Sequence, residues 1–151
     1  MEYRFADAKD MEKLLSSRLD TLRAVNHLGK DYQFSDSFLA ASRQYFLDGD
    51  QSTVLALDGD RVAGCATLCY LVMMPTFSHP SGRRAHLMNV YTDADYRRQG
   101  IARRMVSMLI ERAWESGATE ISLDATEAGR PLYLQLGFRD SDECMVLEKN
   151  C

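Results

Sequence analysis

The chain has 151 residues, of which 46% are hydrophobic and 26% charged, and its formal net charge is -4. These values predict one globular domain over residues 1–151 and exclude a fibrous or intrinsically disordered chain. No apolar run is long enough to span a bilayer, so we expect no membrane partner. The acidic charge balance argues against nucleic-acid binding, so we expect no nucleic-acid partner. The four cysteines form no CxxC pair, which predicts reduced thiols, no metal site and a cytoplasmic location.

The first part of the chain has the pattern of one strand followed by two helices. Residues 3–5 predict a short first strand. Apolar residues at helical spacing follow Asp10, which is a typical N-cap residue and predicts the start of a helix. A second helix is predicted to begin at Asp36 and to end at Gly49.

The middle of the chain has the pattern of three strands. Residues 53–57 and 61–74 are β-type runs on either side of a short turn that contains Gly59. This arrangement predicts a hairpin. A loop with prolines and glycines follows, and residues 84–92 predict the next strand.

The last part of the chain contains the clearest helix. Its apolar residues recur at helical spacing, and Gly117 predicts its end: Ile101, Met105, Met108, Leu109 and Ala113. A strand at 120–125, a short helix at 128–136 and a final strand at 144–147 are predicted to follow. Together these elements predict a mixed sheet flanked by helices.

The segment before this long helix has the features of a phosphate-binding site. It matches the pattern (Arg/Gln)-x-x-Gly-x-(Gly/Ala) as Arg97-Arg98-Gln99-Gly100-Ile101-Ala102. Small residues let a ligand approach the backbone, and free N–H groups at a helix start attract phosphate. The glycines of a dinucleotide-binding turn and of a P-loop are both missing. The alternative is an ordinary helix start with solvated arginines.

Two motifs make the chain resemble the GNAT superfamily of acetyl-CoA-dependent N-acyltransferases. Residues 90–102 resemble the motif that holds the pyrophosphate in that family. The closing motif of the family, lYxxlGF, is matched by Leu132-Tyr133-Leu134-Gln135-Leu136-Gly137-Phe138. The resemblance implies an α/β (α+β) fold, with a mixed, mostly antiparallel sheet of about six to seven strands and about four helices. It also implies that the fourth and fifth strands splay apart.

The resemblance implies acetyl-CoA as co-substrate, with its pantetheine arm in the gap between the splayed strands. The arm would pair with the fourth strand, and the amides of residues 98–103 would surround the pyrophosphate. Thr126 stands where many relatives have an asparagine that contacts the pantetheine. The implied cofactor-binding residues are Val90, Tyr91, Thr92, Arg97, Arg98, Gln99, Gly100, Ile101, Ala102, Arg103 and Thr126.

The resemblance also implies how an acetyl group is transferred. Tyr133 occupies the position of the family's acid, which gives a proton to the leaving thiolate. His86 occupies the position from which some relatives activate the amine, and imidazole is a suitable base near neutral pH. Glu127, Asp95 and a chain of water molecules are the alternatives for this role.

The acceptor is expected to be a primary amine of a small molecule, a peptide or a protein. The acidic composition favours a cationic amine, although net charge says little about one cleft. A catalytically silent acyl-CoA sensor and an interaction module are the alternative functions. The strand at 144–147 is a candidate contact for a homodimer.

Overall fold

The computed structural model describes residues 1–150 and contains five strands and four α-helices. In chain order they are β1 (Glu2–Phe5), α1 (Met11–Val25), α2 (Asp36–Asp48), β2 (Gln51–Asp58), β3 (Arg61–Val72), β4 (Arg83–Thr92), α3 (Ile101–Glu115), β5 (Ile121–Leu123) and α4 (Arg130–Gln135). Short 3-10 turns precede α1 and α3. None of the helices in this part of the chain is long and apolar enough to cross a bilayer.

The strands form one sheet in the order β1-β2-β3-β4-β5. The pairs β1–β2, β2–β3 and β3–β4 are antiparallel, whereas β5 is parallel to β4. The two faces of the sheet are covered separately, because alternate strand residues point to opposite sides. Val54 and Leu68 pack with α3, whereas Leu55 and Cys65 pack with Leu14 of α1. The predicted mixed sheet flanked by helices is confirmed.

The predicted final strand is wrong. Residues 144–147 form no strand, and the side chains of Met145 and Leu147 are 94% and 98% exposed. A β-type pattern supplies apolar side chains but not a pairing partner, and the outermost strand, β5, is only three residues long. Within residues 1–150 the sheet therefore has five strands rather than six or seven. The homodimer contact expected at 144–147 stays a prediction.

The predicted divergence of the fourth and fifth strands is present. β5 pairs with β4 only from Ala85 to Leu87, although β4 continues to Thr92. Beyond Leu87, no described strand pairs with this side of β4. The unpaired stretch is an open strand edge, and its backbone groups can accept another partner.

A bulge in β4 accompanies this divergence. Thr67 pairs with Met88 and Cys65 pairs with Tyr91, so β4 has one residue more than β3 in this interval. Asn89 lies in the bulge with φ +61°, a conformation that asparagine tolerates better than most residues. Its buried amide donates to Thr67 Oγ1 at 3.1 Å. The bulge therefore has a hydrogen-bonded side chain that holds it in place.

A glycine in β3 allows α3 to pack directly on the sheet. A Cβ atom on Gly64 would lie 2.8 Å from the carbonyl oxygen of Tyr91 and 3.0 Å from Cε of Met105. The contact with the carbonyl oxygen would force the strands to shift, and the contact with Cε would force the methionine side chain to move. The absence of a side chain at this position therefore helps to set where the first turns of α3 lie.

The start of α1 differs in detail from the sequence prediction. Asp10 does precede the helix, but its carboxylate does not cap it. It accepts hydrogen bonds from the backbone N–H of Asp7 at 2.9 Å and from Arg4 at 2.7 and 2.8 Å. The side chain is buried, and the hydrogen bonds from Arg4 lower its pKa from 3.8 to about 2. Asp10 therefore joins β1 to the turn before α1.

We expect Asp10→Asn to lower the free energy of unfolding by about 1–2 kcal/mol at neutral pH. This value is smaller than the shift in the Asp10 pKa alone would give, because Arg4 is partly exposed and solvent screens the pair. A depressed folded-state pKa stabilises the fold above the unfolded value of 3.8, and this contribution is lost as the pH falls to about 2. In urea denaturation the gap between parent and variant should shrink over that window. A gap that is independent of pH would contradict the role of the charge. Asp31→Asn, at an exposed carboxylate, is the control.

Candidate active site

The predicted phosphate-binding segment, residues 97–103, forms a left-handed turn followed by the first turn of α3. Arg98 has φ +62° and Gly100 has φ +77°. A Cβ atom on Gly100 would meet no atom within 4 Å, so the space in front of this glycine is open. The first helical hydrogen bond runs from the N–H of Arg104 to the carbonyl of Gly100 at 3.0 Å.

The start of α3 has backbone donors without partners. No described side chain caps the helix. The N–H groups of Ile101, Ala102 and Arg103 precede the first helical hydrogen bond, so they have no acceptor in the helix. Free donors together with the positive end of the helix dipole form a favourable environment for a phosphate.

Two arginines of this segment connect it to neighbouring elements. The Nε of Arg97 donates to the carbonyl oxygen of Thr92 at the end of β4, at 3.3 Å. The guanidinium of Arg103 donates to Oε1 of Gln135 in α4. Arg98 and Arg104 are exposed and add positive charge around the open space. The structure therefore brings the segment together with the end of β4 and with α4.

The open edge of β4 includes three of the predicted cofactor residues. Val90 packs with the residues that contact α3, whereas Tyr91 packs with those under α1. Thr92 ends the strand and pairs with Gly64 of β3. These residues lie beyond Leu87, where β5 no longer pairs, so an extended ligand can approach their backbone from the side of the divergence.

Tyr133 lies in α4, on the same side of the sheet as α3. Its half-buried ring packs edge-on against Phe138 at a centroid distance of 5.8 Å. Gly129 leaves room for the ring, since a Cβ there would lie 3.1 Å from Cε2 of the tyrosine. Burial raises the pKa of the phenol, and its hydroxyl has no hydrogen-bond partner within residues 1–150. The group is therefore protonated at neutral pH and free to donate.

His86 is held where β4 and β5 are still paired. Its Nδ1 lies 2.7 Å from Oγ of Ser122, and its Nε2 lies 3.6 Å from Oδ2 of Asp124. A second histidine has a similar environment: Nδ1 of His79 lies 2.9 Å from Oγ1 of Thr119 and Nε2 lies 3.3 Å from Oε2 of Glu120. A hydroxyl and a carboxylate around an imidazole therefore do not distinguish His86 by themselves. Its position next to the divergence does.

Two other predicted residues have contacts that qualify their roles. Thr126 accepts a hydrogen bond from the N–H of Gly129 at 3.1 Å, so its hydroxyl stabilises the turn before α4. The hydroxyl proton remains available for donation to a ligand. Asp95 pairs with Arg61 at 2.8 Å, so its carboxylate already has a cationic partner within the protein.

Sequence reasoning missed a chain of buried polar groups beneath α1. The hydroxyl groups of Thr53 and Thr67 are 2.8 Å apart, and Thr67 accepts from Asn89. Nη1 of Arg18 donates to Oδ1 of the same asparagine at 3.3 Å. The only signal in the sequence was an arginine four residues after Leu14, on the apolar face of a helix. The chain of hydrogen bonds links α1 to the bulge in β4.

Comparison with known proteins agrees with this arrangement. Residues 13–138 match the model of the acetyltransferase (GNAT) family. A glucosamine 6-phosphate N-acetyltransferase of Trypanosoma brucei brucei is 30% identical over 88 residues. The match covers 58% of this chain, and the chain spans only 58% of that relative's length. A probable glucosamine 6-phosphate N-acetyltransferase 2 of Oryza sativa subsp. japonica is 28% identical over 150 residues, which cover 97% of this chain and 87% of the relative.

The solved structures include one of high similarity. A predicted acetyltransferase from Clostridium acetobutylicum, determined with acetyl-CoA, superposes with a TM-score of 0.85 at 27% identity. The match covers 97% of this chain and 95% of that structure. The family model alone covers well over half of the sequence. The chain therefore belongs to the GNAT family of acetyltransferases.

Proposed function

We propose that this protein transfers an acetyl group from acetyl-CoA to a primary amine by direct attack in a ternary complex. The observation that carries the proposal is the position of an uncapped helix start beside an open strand edge. Gly100 and the first turn of α3 offer donors for the pyrophosphate, and residues 90–92 of β4 offer backbone groups for the pantetheine. Acetyl-CoA is the co-substrate of the family, and one similar structure contains it.

In the proposed reaction each residue has one task. His86, or water in its place, accepts a proton from the acceptor amine. A backbone N–H of β4 near Val90 or Tyr91 stabilises the negative charge that develops on the thioester oxygen. Tyr133 gives its proton to the sulfur as the C–S bond breaks and the C–N bond forms. Burial raises the pKa of Tyr133, so the phenol carries its proton at neutral pH, as an acid must before the thiolate leaves.

The relatives suggest the first acceptor to test. Both are described as glucosamine 6-phosphate N-acetyltransferases, at 30% and 28% identity. An amino sugar phosphate therefore heads the panel of amines. Small polyamines, aminoglycosides and peptide amines complete the panel, because membership of the family fits a primary amine as acceptor without favouring one kind of amine.

Gly100→Val should abolish detectable acetyl-CoA binding, because its side chain would occupy the open space in front of the free amides. Gly117→Val is a matched control: this glycine follows the same helix, has φ +89°, and a Cβ atom on it would also meet no atom within 4 Å. Both variants carry similar backbone strain, so both should lose about 1 kcal/mol of stability. Titration calorimetry with acetyl-CoA should separate them. Equal affinity of the two variants would contradict the phosphate placement.

Release of free thiol from acetyl-CoA in the presence of the amine panel tests the function itself. Tyr133→Phe should reduce the turnover number by about 100-fold or more, with unchanged affinity for acetyl-CoA, because only the proton donor is removed. Tyr3→Phe, at a half-buried tyrosine of β1, is the control. Full activity of Tyr133→Phe would remove this residue from the mechanism. Binding of acetyl-CoA without thiol release for any amine would favour the silent sensor.

His86→Ala should remove the acid limb of the pH profile of kcat/KM, because a base must be unprotonated to accept the amine's proton. His79→Ala is the matched control, since that imidazole has the same two kinds of neighbour. Its profile should match that of the parent. If both variants keep the acid limb, water rather than His86 accepts the proton.

A further inference from the structure

Arg18 is a half-buried cation without a carboxylate partner. Its only described hydrogen bond goes to Asn89, at 3.3 Å, although a guanidinium has five donors. None of the ion pairs within residues 1–150 includes it, and the nearby Asp20 is paired with Arg23. Burial lowers the pKa of Arg18, but the group stays charged at neutral pH. A charge that is partly removed from water without a counter-ion is costly, so its position requires an explanation.

The remaining donors of Arg18 are accessible. Buried side-chain nitrogens without a partner occur in the described chain at Arg23 and Arg84, but not at Arg18. The unused donors of this guanidinium therefore reach solvent. Because Asn89 holds one end of the group, a ligand that binds the other end meets a partly pre-oriented donor set.

The guanidinium lies next to the part of β4 that is proposed to react. Asn89, its partner, precedes Val90 directly. The side chain of Arg18 also lies near Cys69, which pairs with His86 in the sheet. Arg18 thus faces the stretch of β4 from His86 to Asn89, on the side of the sheet covered by α1. An amine that gives its proton to His86 must come to this same side.

We propose that Arg18 binds an anionic group of the acceptor, so that the substrate class is a primary amine that also carries a phosphate or a carboxylate. This inference rests on the proposed acetyl transfer. It reverses the cationic acceptor favoured by the net charge of -4. The local charge has the greater weight, because salt screens charges farther away than about 8–10 Å. Both anions accept paired hydrogen bonds from a guanidinium.

The test compares acceptors that differ only in the anion. Glucosamine 6-phosphate against glucosamine tests phosphate, and an amino acid against its amide tests carboxylate. With the parent protein, kcat/KM for the amine that carries the preferred anion should exceed kcat/KM for its neutral counterpart by about tenfold or more. Arg18→Met should lower it by about tenfold to hundredfold, mainly through KM, and should change the neutral partner by less than about threefold. Arg18→Lys should restore part of the loss.

Arg23→Met is the matched control. This arginine lies on the same helix and packs on Phe34. Its two terminal nitrogens already donate to Asp20 and to the carbonyl of Tyr32, and its Nε is buried, so no donor is open to a ligand. It should leave the preference for the anion unchanged. Equal losses for anionic and neutral amines in Arg18→Met would mean that Arg18 only holds α1 against β4, and would overturn the inference.

Two results separate this inference from the proposed function. Turnover of amines without any preference for an anion overturns the role of Arg18 and leaves acetyl transfer standing. If no amine is acetylated, calorimetric titration of glucosamine 6-phosphate and of the amino acid into the CoA-loaded protein decides. Binding that Arg18→Met weakens at least about tenfold supports the anion site despite the failed function. No binding of either compound overturns both.

Discussion

The divergence of β4 from β5 is the constraint on which the other features of this protein depend. The two strands pair over three residues, and then β4 continues with one side unpaired. An open strand edge inside a domain is unusual, because unpaired backbone groups favour aggregation or local rearrangement. Here the side chain of Asn89 holds the bulge in one conformation, because its amide donates to Thr67 and accepts from Arg18.

The same part of the molecule sets the position of the helix start. Gly64 lies opposite Thr92 in the sheet, and it allows the first turns of α3 to pack against β3 without an intervening side chain. Arg97 then bonds back to the end of β4. These contacts bring a set of free amides close to an open strand edge, which is the combination that a long molecule with a pyrophosphate at one end requires.

Local patterns predicted the elements that depend on neighbours in sequence. The hairpin around Gly59, the periodicity of α3 and the left-handed end at Gly117 are all properties of short segments, and the structure agrees with them. The turn at Gly100 was predicted as a phosphate site from a short motif, whereas the roles of Tyr133 and His86 came from the resemblance to a family. The structure has an open helix start at Gly100, but the ligand roles of Gly100, Tyr133 and His86 stay predictions.

Features that depend on distant residues were not predictable. The apolar pattern at 144–147 could not show that no described strand would pair with it. Asp10 has the residue type of a helix cap, but Arg4 on the neighbouring strand engages its carboxylate. The link from Arg18 to Asn89 spans 71 positions and depends on a bulge, which a pattern of alternating residues does not reveal.

The two separately packed faces of the sheet have a consequence for how this protein can change. In the proposed arrangement, α3 and α4 hold the cofactor on one face, and α1 holds the acceptor on the other. Substitutions on α1 can then alter the choice of amine while the acetyl donor is bound as before. The sheet would then separate a constant half from a variable half, so that a lineage or an engineer could exchange acceptors without rebuilding the machinery for the donor.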